Sequence, residues 1–270
     1  MKKLLDILRW NKSSNGVAVK GYMFVTDNPE SYCGIQQVKE GKVGKLYTIK
    51  EEPKLWEIGF HASSDPLSAY RQNKAEGRLF EVEARGKIVQ DGNHFAAQKI
   101  RLVREIDTKK LFLAFAIDCA NHCLINYRSY SPRDNRPYKA IEAAEAYQKD
   151  QSENNRLLAK LAAESAQSAA SDLSDRSGFV SAQGAAKSSA QSAAESALYA
   201  AKSAINFAAQ SAAESALYAA KSAGNAVYAA ALYAGYDAGT DAWFVGYAAQ
   251  SAEMNRQKEV LETLIGKCYL

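Results

Sequence analysis

QSAAESALYAAKSA occupies residues 191–204 and returns, residue for residue, at 210–223, a spacing of 19. Ala, Leu, Lys, Glu and Gln all favour helix, and no proline follows Pro137, so a helical reading is preferred to a β-solenoid. A helix turns by about 100° per residue, so 19 residues leave the second copy rotated by about 100° against the first. One continuous helix would smear the Leu-Tyr face of the repeat. Two helices joined by a turn near INFAA (205–209) would preserve it. Small Ala and Ser let helices approach closely, and Leu198, Tyr199, Phe207, Leu217, Tyr218, Tyr228 and Tyr233 are expected to fill the gaps. Weaker echoes, AAESAQSAA (162–170) and AVYAAALYAG (226–235), extend the pattern into an array of antiparallel helices. A Tyr or Leu in every turn or two argues against a disordered tail.

Upstream, KKLFLAFAIDCANHCLINYRSY (109–130) predicts a helix with an apolar stripe at Leu111, Phe115, Cys119 (or Ala116) and Cys123. SPRDNRP ends it. Pro137 suits the first turn of the next helix, and Arg136 before it is expected to stay non-helical. Asp134 and Asn135 are placed to accept bonds from first-turn amides. Asp118, Asp134 and Arg136 together would make a charged knot tying these two helices. Tyr236, Trp243, Phe244 and Tyr247, among Gly235, Gly239 and Gly246, form the densest aromatic cluster. It reads either as a core cap or as a partner-binding patch.

DCANHCLINY, DNRPYKAIEAAEAY and the Ala-rich helices behind them resemble an immunity-protein-like helical family. The matching residues are Asp118, Cys119, Ala120 and His122, then Asp134, Arg136, Pro137, Ala140, Ile141 and Glu142, with EMNRQKEVLETLI closing the chain. The likeness covers nearly all of 109–270 and implies an all-helical domain that acts by binding another protein. The repeats here are rich in Ser and Tyr and lack the His that dots the family's helices.

The first part of the chain reads differently. VAVKGYMFVTDN (17–28) predicts a strand, and QQVKEGKVGKLYTIKEEP (36–53) a hairpin around Gly41 and Gly44. LWEIGFHASSDPLSAYRQ (55–72) is a strand running into a helix capped by Asp65 with Pro66 at its first position. Residues 78–106 give two alternating strands, with Phe80 and Val82 on one face and Glu81 and Glu83 on the other. The opening MKKLLDILRW suits a short amphipathic helix. The fold class is α+β: a small, mainly antiparallel β-rich domain over 1–107, then an all-α array of short Ala-rich helices over 108–270.

KGY (20–22), the Cys33-Gly34 turn, GKLYT (44–48), GFHAS (59–63), FEVEARG (80–86) and KIRLVREI (99–106) resemble a domain of unknown function found in phage and prophage proteins. GFHASSDPLSAY is also similar to the strand-to-helix segment of ADP-ribosyltransferases. That likeness implies a nicotinamide pocket lined by Gly59, Phe60, His61, Ser63 and Tyr70, with Glu81 or Glu83 as the catalytic glutamate. The residues themselves favour a strand end with its helix cap, since no upstream His-Gly or Arg strand motif accompanies the segment.

The 270 residues carry a net charge of +4, split into +6 over 1–117 and −2 over 118–270. That is too dilute for a dedicated nucleic-acid binder. The four cysteines are scattered over a long chain, and the expectation is a cytoplasmic protein without a disulfide framework. No run approaches about 18 apolar residues, so no membrane span is expected. Cys119 and Cys123 stand at i and i+4 beside His122. A fourth ligand would have to come from Cys33, Cys268, His61 or His94, none of which belongs to a knuckle motif, so buried structural thiols are expected rather than a metal. No cofactor-binding motif occurs, and none is expected. The leading functional expectation is a non-enzymatic binder of a protein effector, a toxin, nuclease or defence component. The alternatives are a nicotinamide-nucleotide or ADP-ribosyl-transferring enzyme and a structural component of a virion. The Tyr-rich faces are also compatible with a homo-oligomer.

Overall fold

Five strands and seven helices are built from this chain in the computed structural model, which describes residues 18–26, 38, 41–71, 77–173, 182–205, 208–234 and 241–267. The chain divides into two units, Met1–Thr108 and Lys109–Leu270. The expected opening helix, the Cys33-Gly34 turn, Tyr236 and Cys268 lie outside the described residues.

In the first unit, β1 (Val19–Thr26), β2 (Leu46–Thr48), β3 (Phe60–Ser63), β4 (Gly77–Asp91) and β5 (His94–Ile106) are all antiparallel to their neighbours. β4 pairs with β1 on one edge and β5 on the other, β5 pairs with β3, and β3 meets β1 at Tyr22 opposite Ser63. The cycle closes, giving a small barrel without free edges among these four strands. Closure needs a bent wall. β4 supplies it with register shifts at Glu81/Val82 and Arg85/Ile88, the second holding Gly86 at φ +81°, a conformation that costs glycine nothing. Phe80, Val82, Phe95, Ile100 and Leu102 fill the interior, so the alternation expected at 80–83 is the one observed. Of the hairpin expected over 36–53, residues 36, 37, 39 and 40 lie outside those described. β2 follows the Gly41–Gly44 turn and pairs with β5, with Tyr47 opposite Ile100. The helix cap is as read: α1 (Pro66–Arg71) begins with Ser68 N–H donating to Asp65 Oδ2 at 2.8 Å.

The second unit consists of α2 (Thr108–Tyr130), α3 (Arg136–Lys149), α4 (Glu153–Asp172), α5 (Ala182–Ile205), α6 (Ala208–Tyr233) and α7 (Asp241–Lys267). The α2 stripe is wider than expected. Phe112, Leu113, Ile117, Ala120, Leu124 and Tyr127 are buried along with the four anticipated positions, as in a helix surrounded by others. Its polar groups reach α3 (Asn121 Nδ2 to Glu145 Oε1, 3.2 Å) and α6 (Asn126 Nδ2 to Ser222 Oγ, 2.9 Å). The other helices pack as successive neighbours, α4 on α5, α5 on α6 and α6 on α7, with α3 against α4 and α5.

The two repeat copies occupy α5 and α6, and the contact between them is made by serine. Ser196 Oγ donates to Ser215 O (2.8 Å) and Ser215 Oγ to Ser196 O (3.0 Å). Seven residues along each helix, Ser189 and Ser222 repeat the exchange at 2.8 and 2.9 Å. All four serines are buried, among alanines such as Ala190, Ala193, Ala197, Ala212 and Ala219 that are 0% exposed. Backbones this close leave no room for rings. Of the aromatic residues expected between the helices, Tyr199 stacks on Tyr218 with centroids 5.5 Å apart, flanked by Lys202 and Lys221, Tyr233 is 72% exposed, and half-buried Tyr228 lies beside Gly246. Phe207 lies outside the described residues. α6 and α7 come still closer at a pair of glycines. A Cβ on Gly224 would lie 2.9 Å from the Gly246 carbonyl oxygen, and one on Gly246 3.0 Å from that of Gly224.

Candidate functional site

The GFHAS segment is held mainly by its own backbone. The Trp56 N–H donates to His61 Nε2 at 2.8 Å, which leaves the proton on Nδ1 to be donated to the Gly59 carbonyl at 3.0 Å. Both ring nitrogens are thus committed, and burial lowers the imidazole pKa. Trp56, held at φ +66°, lies over His61 with ring centroids 6.1 Å apart. The Phe60 side chain points into the barrel core. Ser63 is buried, with Oγ donating to Asn93 O at 2.9 Å. Tyr70 is on α1, but its side chain lies outside those described. On the outer face of β4, Glu81 pairs with Arg104 and Glu83 with Arg101, each at 2.5 Å. Gly59, Phe60, His61, Ser63, Glu81 and Glu83 are thus engaged in turn bonds, core packing and cross-strand pairs.

The DCANHC segment lies on α2. Cys119 and Cys123 are 0% and 1% exposed. Burial raises both thiols, Cys119 well above its ordinary value with Asp118 adding to the effect, and Cys123 to about 12. Such thiols are neither nucleophiles nor ready metal ligands. Among the described residues no group of three or more His, Cys, Asp and Glu is placed to hold a metal. His122 and Asp118 meet a cluster on α7. The Glu253 carboxylate, 5% exposed, accepts from Arg256 Nε and Nη2, both at 2.9 Å, and from Gln257 Nε2 at 3.0 Å. His122 Nε2 stands 3.1 Å from its Oε2. Arg256 Nη1 continues to Asp118 Oδ2 at 2.8 Å, and Gln257 Nε2 to the Ala216 carbonyl at 2.9 Å. A buried charge is tolerable where its lone pairs are satisfied, and here that satisfaction ties α7 to α2 and α6.

Asp118 therefore takes no part in the knot expected with Asp134 and Arg136. That knot is made by other partners. Arg136 Nη2 bridges Asp134 Oδ2 and Asp172 Oδ2, each at 2.7 Å, and Tyr127 Oη donates to Asp134 Oδ2 at 2.5 Å. The Arg136 N–H also bonds Asp134 Oδ1 at 3.0 Å. Arg136 is the first residue of α3 rather than a residue before it, and Asn135 makes no side-chain cap. Pro137 stands in the first turn and is buried. The sequence reading missed Glu253, Arg256, Gln257, Tyr127 and Asp172. A signal existed for two of them: Glu253, Gln257, Leu261 and Ile265 recur every fourth residue and are all buried, so two polar residues sit on an apolar stripe.

The third feature is the α7 aromatic ridge. Trp243, Phe244 and Tyr247 are 54%, 63% and 59% exposed. Trp243 stacks on Tyr247 at 5.5 Å and meets Phe244 edge-on at 5.4 Å. The core-cap reading fails for these three residues, whose rings face solvent.

The chain thus joins a closed antiparallel β unit to an Ala- and Ser-packed helical unit whose last helix presents exposed aromatic side chains. Comparison with known families divides it in the same way. Residues 19–114 match a domain of unknown function (DUF7666), and residues 103–196 match the family described as Imm-5 like putative immunity protein. The two matches coincide with the two resemblances read from the motifs, although the immunity-type match ends within α5 rather than running on to residue 270. No curated protein and no solved structure matches the chain. Among the described residues, no helix is long and apolar enough to cross a membrane.

Proposed function

We propose that this chain is a non-enzymatic interaction protein of immunity or counter-defence type, of phage or prophage origin, which binds and masks a protein effector in the cytoplasm. The observation that carries the proposal is the α7 ridge. Three adjacent aromatic side chains, each more than half exposed, form an anchor group of the kind that dominates protein interfaces. Their mutual ring contacts pre-order them, which lowers the entropy lost on docking. Glu253 with His122, and Arg256 with Asp118, tie the helix that carries them to α2. The immunity-type match over 103–196 supports the same reading. Commitment of His61, Glu81 and Glu83 to internal partners favours binding over transferase chemistry.

The test is capture from host or infected cells with the intact chain and with Trp243→Ala as bait. The wild type should return one stoichiometric protein, and the variant should bind it at least about 30-fold more weakly, as for a hot-spot residue. Recovery of background proteins alone, or equal recovery by both baits, would overturn the proposal.

A further inference from the structure

In the row of helices α4, α5, α6 and α7, with α3 packed on α4 and α5, both terminal helices keep exposed apolar side chains. Arrays of packed helices ordinarily finish in polar caps, because an uncapped end invites another copy to continue the stack. At one end, α4 buries Ala159, Ala163, Ala166 and Ala169 inward and leaves Leu157, Leu158 and Leu161 at 49%, 49% and 63% exposure. At the other end α7 presents Trp243, Phe244 and Tyr247. The two sets share one spacing, i, i+1 and i+4, so each forms a short ridge of the same pitch, and the ridge of one helix can enter the groove of the other. Their charges are complementary. Lys160 lies between Leu157 and Leu161, Asp241 opens α7, and among the described residues neither makes an ion pair or hydrogen bond.

We propose that a second copy of this chain docks its α4 leucine face on the α7 aromatic ridge of the first, with Lys160 paired to Asp241. The contact is heterologous: it uses two different patches, and it leaves one of each free at the ends of the assembly. Chains therefore add head to tail until the rotation closes a ring or growth stops. This goes beyond effector binding and shares only the α7 ridge with it, so a second copy and an effector compete for that surface.

Sedimentation velocity on the full chain tests it. The wild type should gain mass with concentration, while Leu161→Glu and Trp243→Glu, both at exposed positions and checked for native circular dichroism, should each sediment as single chains. Mixed in equal amounts, the two variants should form a two-chain species and nothing larger, because one intact α4 face then meets one intact α7 ridge. Lys160→Asp should weaken association, and adding Asp241→Lys should restore it. A wild type that stays a single chain throughout, a Leu161→Glu variant that still associates, or a mixture that stays unassociated would each overturn the proposal. Leu161→Glu keeps the α7 ridge and should capture the effector as well as wild type, so failure of self-association is distinguishable from failure of effector binding.

Discussion

The part-buried Asp134 carboxylate accepts from Tyr127, from the Arg136 guanidinium and from the Arg136 amide. Arg136, Tyr127 and the Arg136 amide hold its pKa down at about 2, with the guanidinium the largest cause, against an ordinary 3.8. A carboxyl whose folded pKa is depressed stabilises the fold above its unfolded value and loses that contribution as pH falls. Stability should therefore drop as the pH falls from near 3.8 toward 2, and Asp134→Asn should remove that part of the acid limb. The variant should also cost about 2 kcal/mol at neutral pH, the scale of hydrogen bonds to a charged group. Chemical denaturation of both proteins at neutral and acidic pH checks both outcomes. The single-residue roles were legible where one local rule sufficed, as at Asp65 before Pro66. They were not legible at Asp118, whose partner Arg256 is 138 residues away, because no spacing rule links such distant positions.

Among the helices, α6 and α7 cross closely at Gly224 and Gly246. At Gly246 even a methyl group would press on the Gly224 carbonyl oxygen and the Tyr228 Cβ, each 3.0 Å away. Gly246→Ala should lower stability by about 1–2 kcal/mol through overpacking. Gly266, on the same helix, has nothing within 4 Å of a built Cβ. There the same substitution should be neutral or should raise stability by up to about 1 kcal/mol through helix propensity. A fall in Tm for Gly246→Ala alone verifies the crossing, and a matched fall in both variants would contradict it. Helix existence was readable from Ala content and from the exact repeat. The packing was not, since Ala-rich helices can meet through rings or through hydroxyls. The reciprocal bonds of Ser196 and Ser215 brought the backbones together and excluded the rings.

For the whole molecule, the question is whether it turns over a nucleotide or only binds. A ligand that binds the folded state raises Tm by mass action. NAD added to the full chain, even at high concentration, should leave Tm unchanged, because His61 and the β4 acids are already bonded within the barrel. A clear rise, abolished by His61→Ala, would restore the transferase alternative. The sequence by itself determined the division into a β-rich part and an Ala-rich helical part, because strand alternation and helix propensity are local and repeat along the chain. It also determined that residues 191–204 and 210–223 form two helices rather than one, since a 19-residue spacing cannot keep a face in register. Only the tertiary structure decided that β4 and β5 close a barrel with β3 and β1, that Glu253 is a buried tie, and that Trp243, Phe244 and Tyr247 face outward. Those outcomes depend on which distant surfaces meet, and burial is settled by neighbours in space rather than by neighbours in sequence.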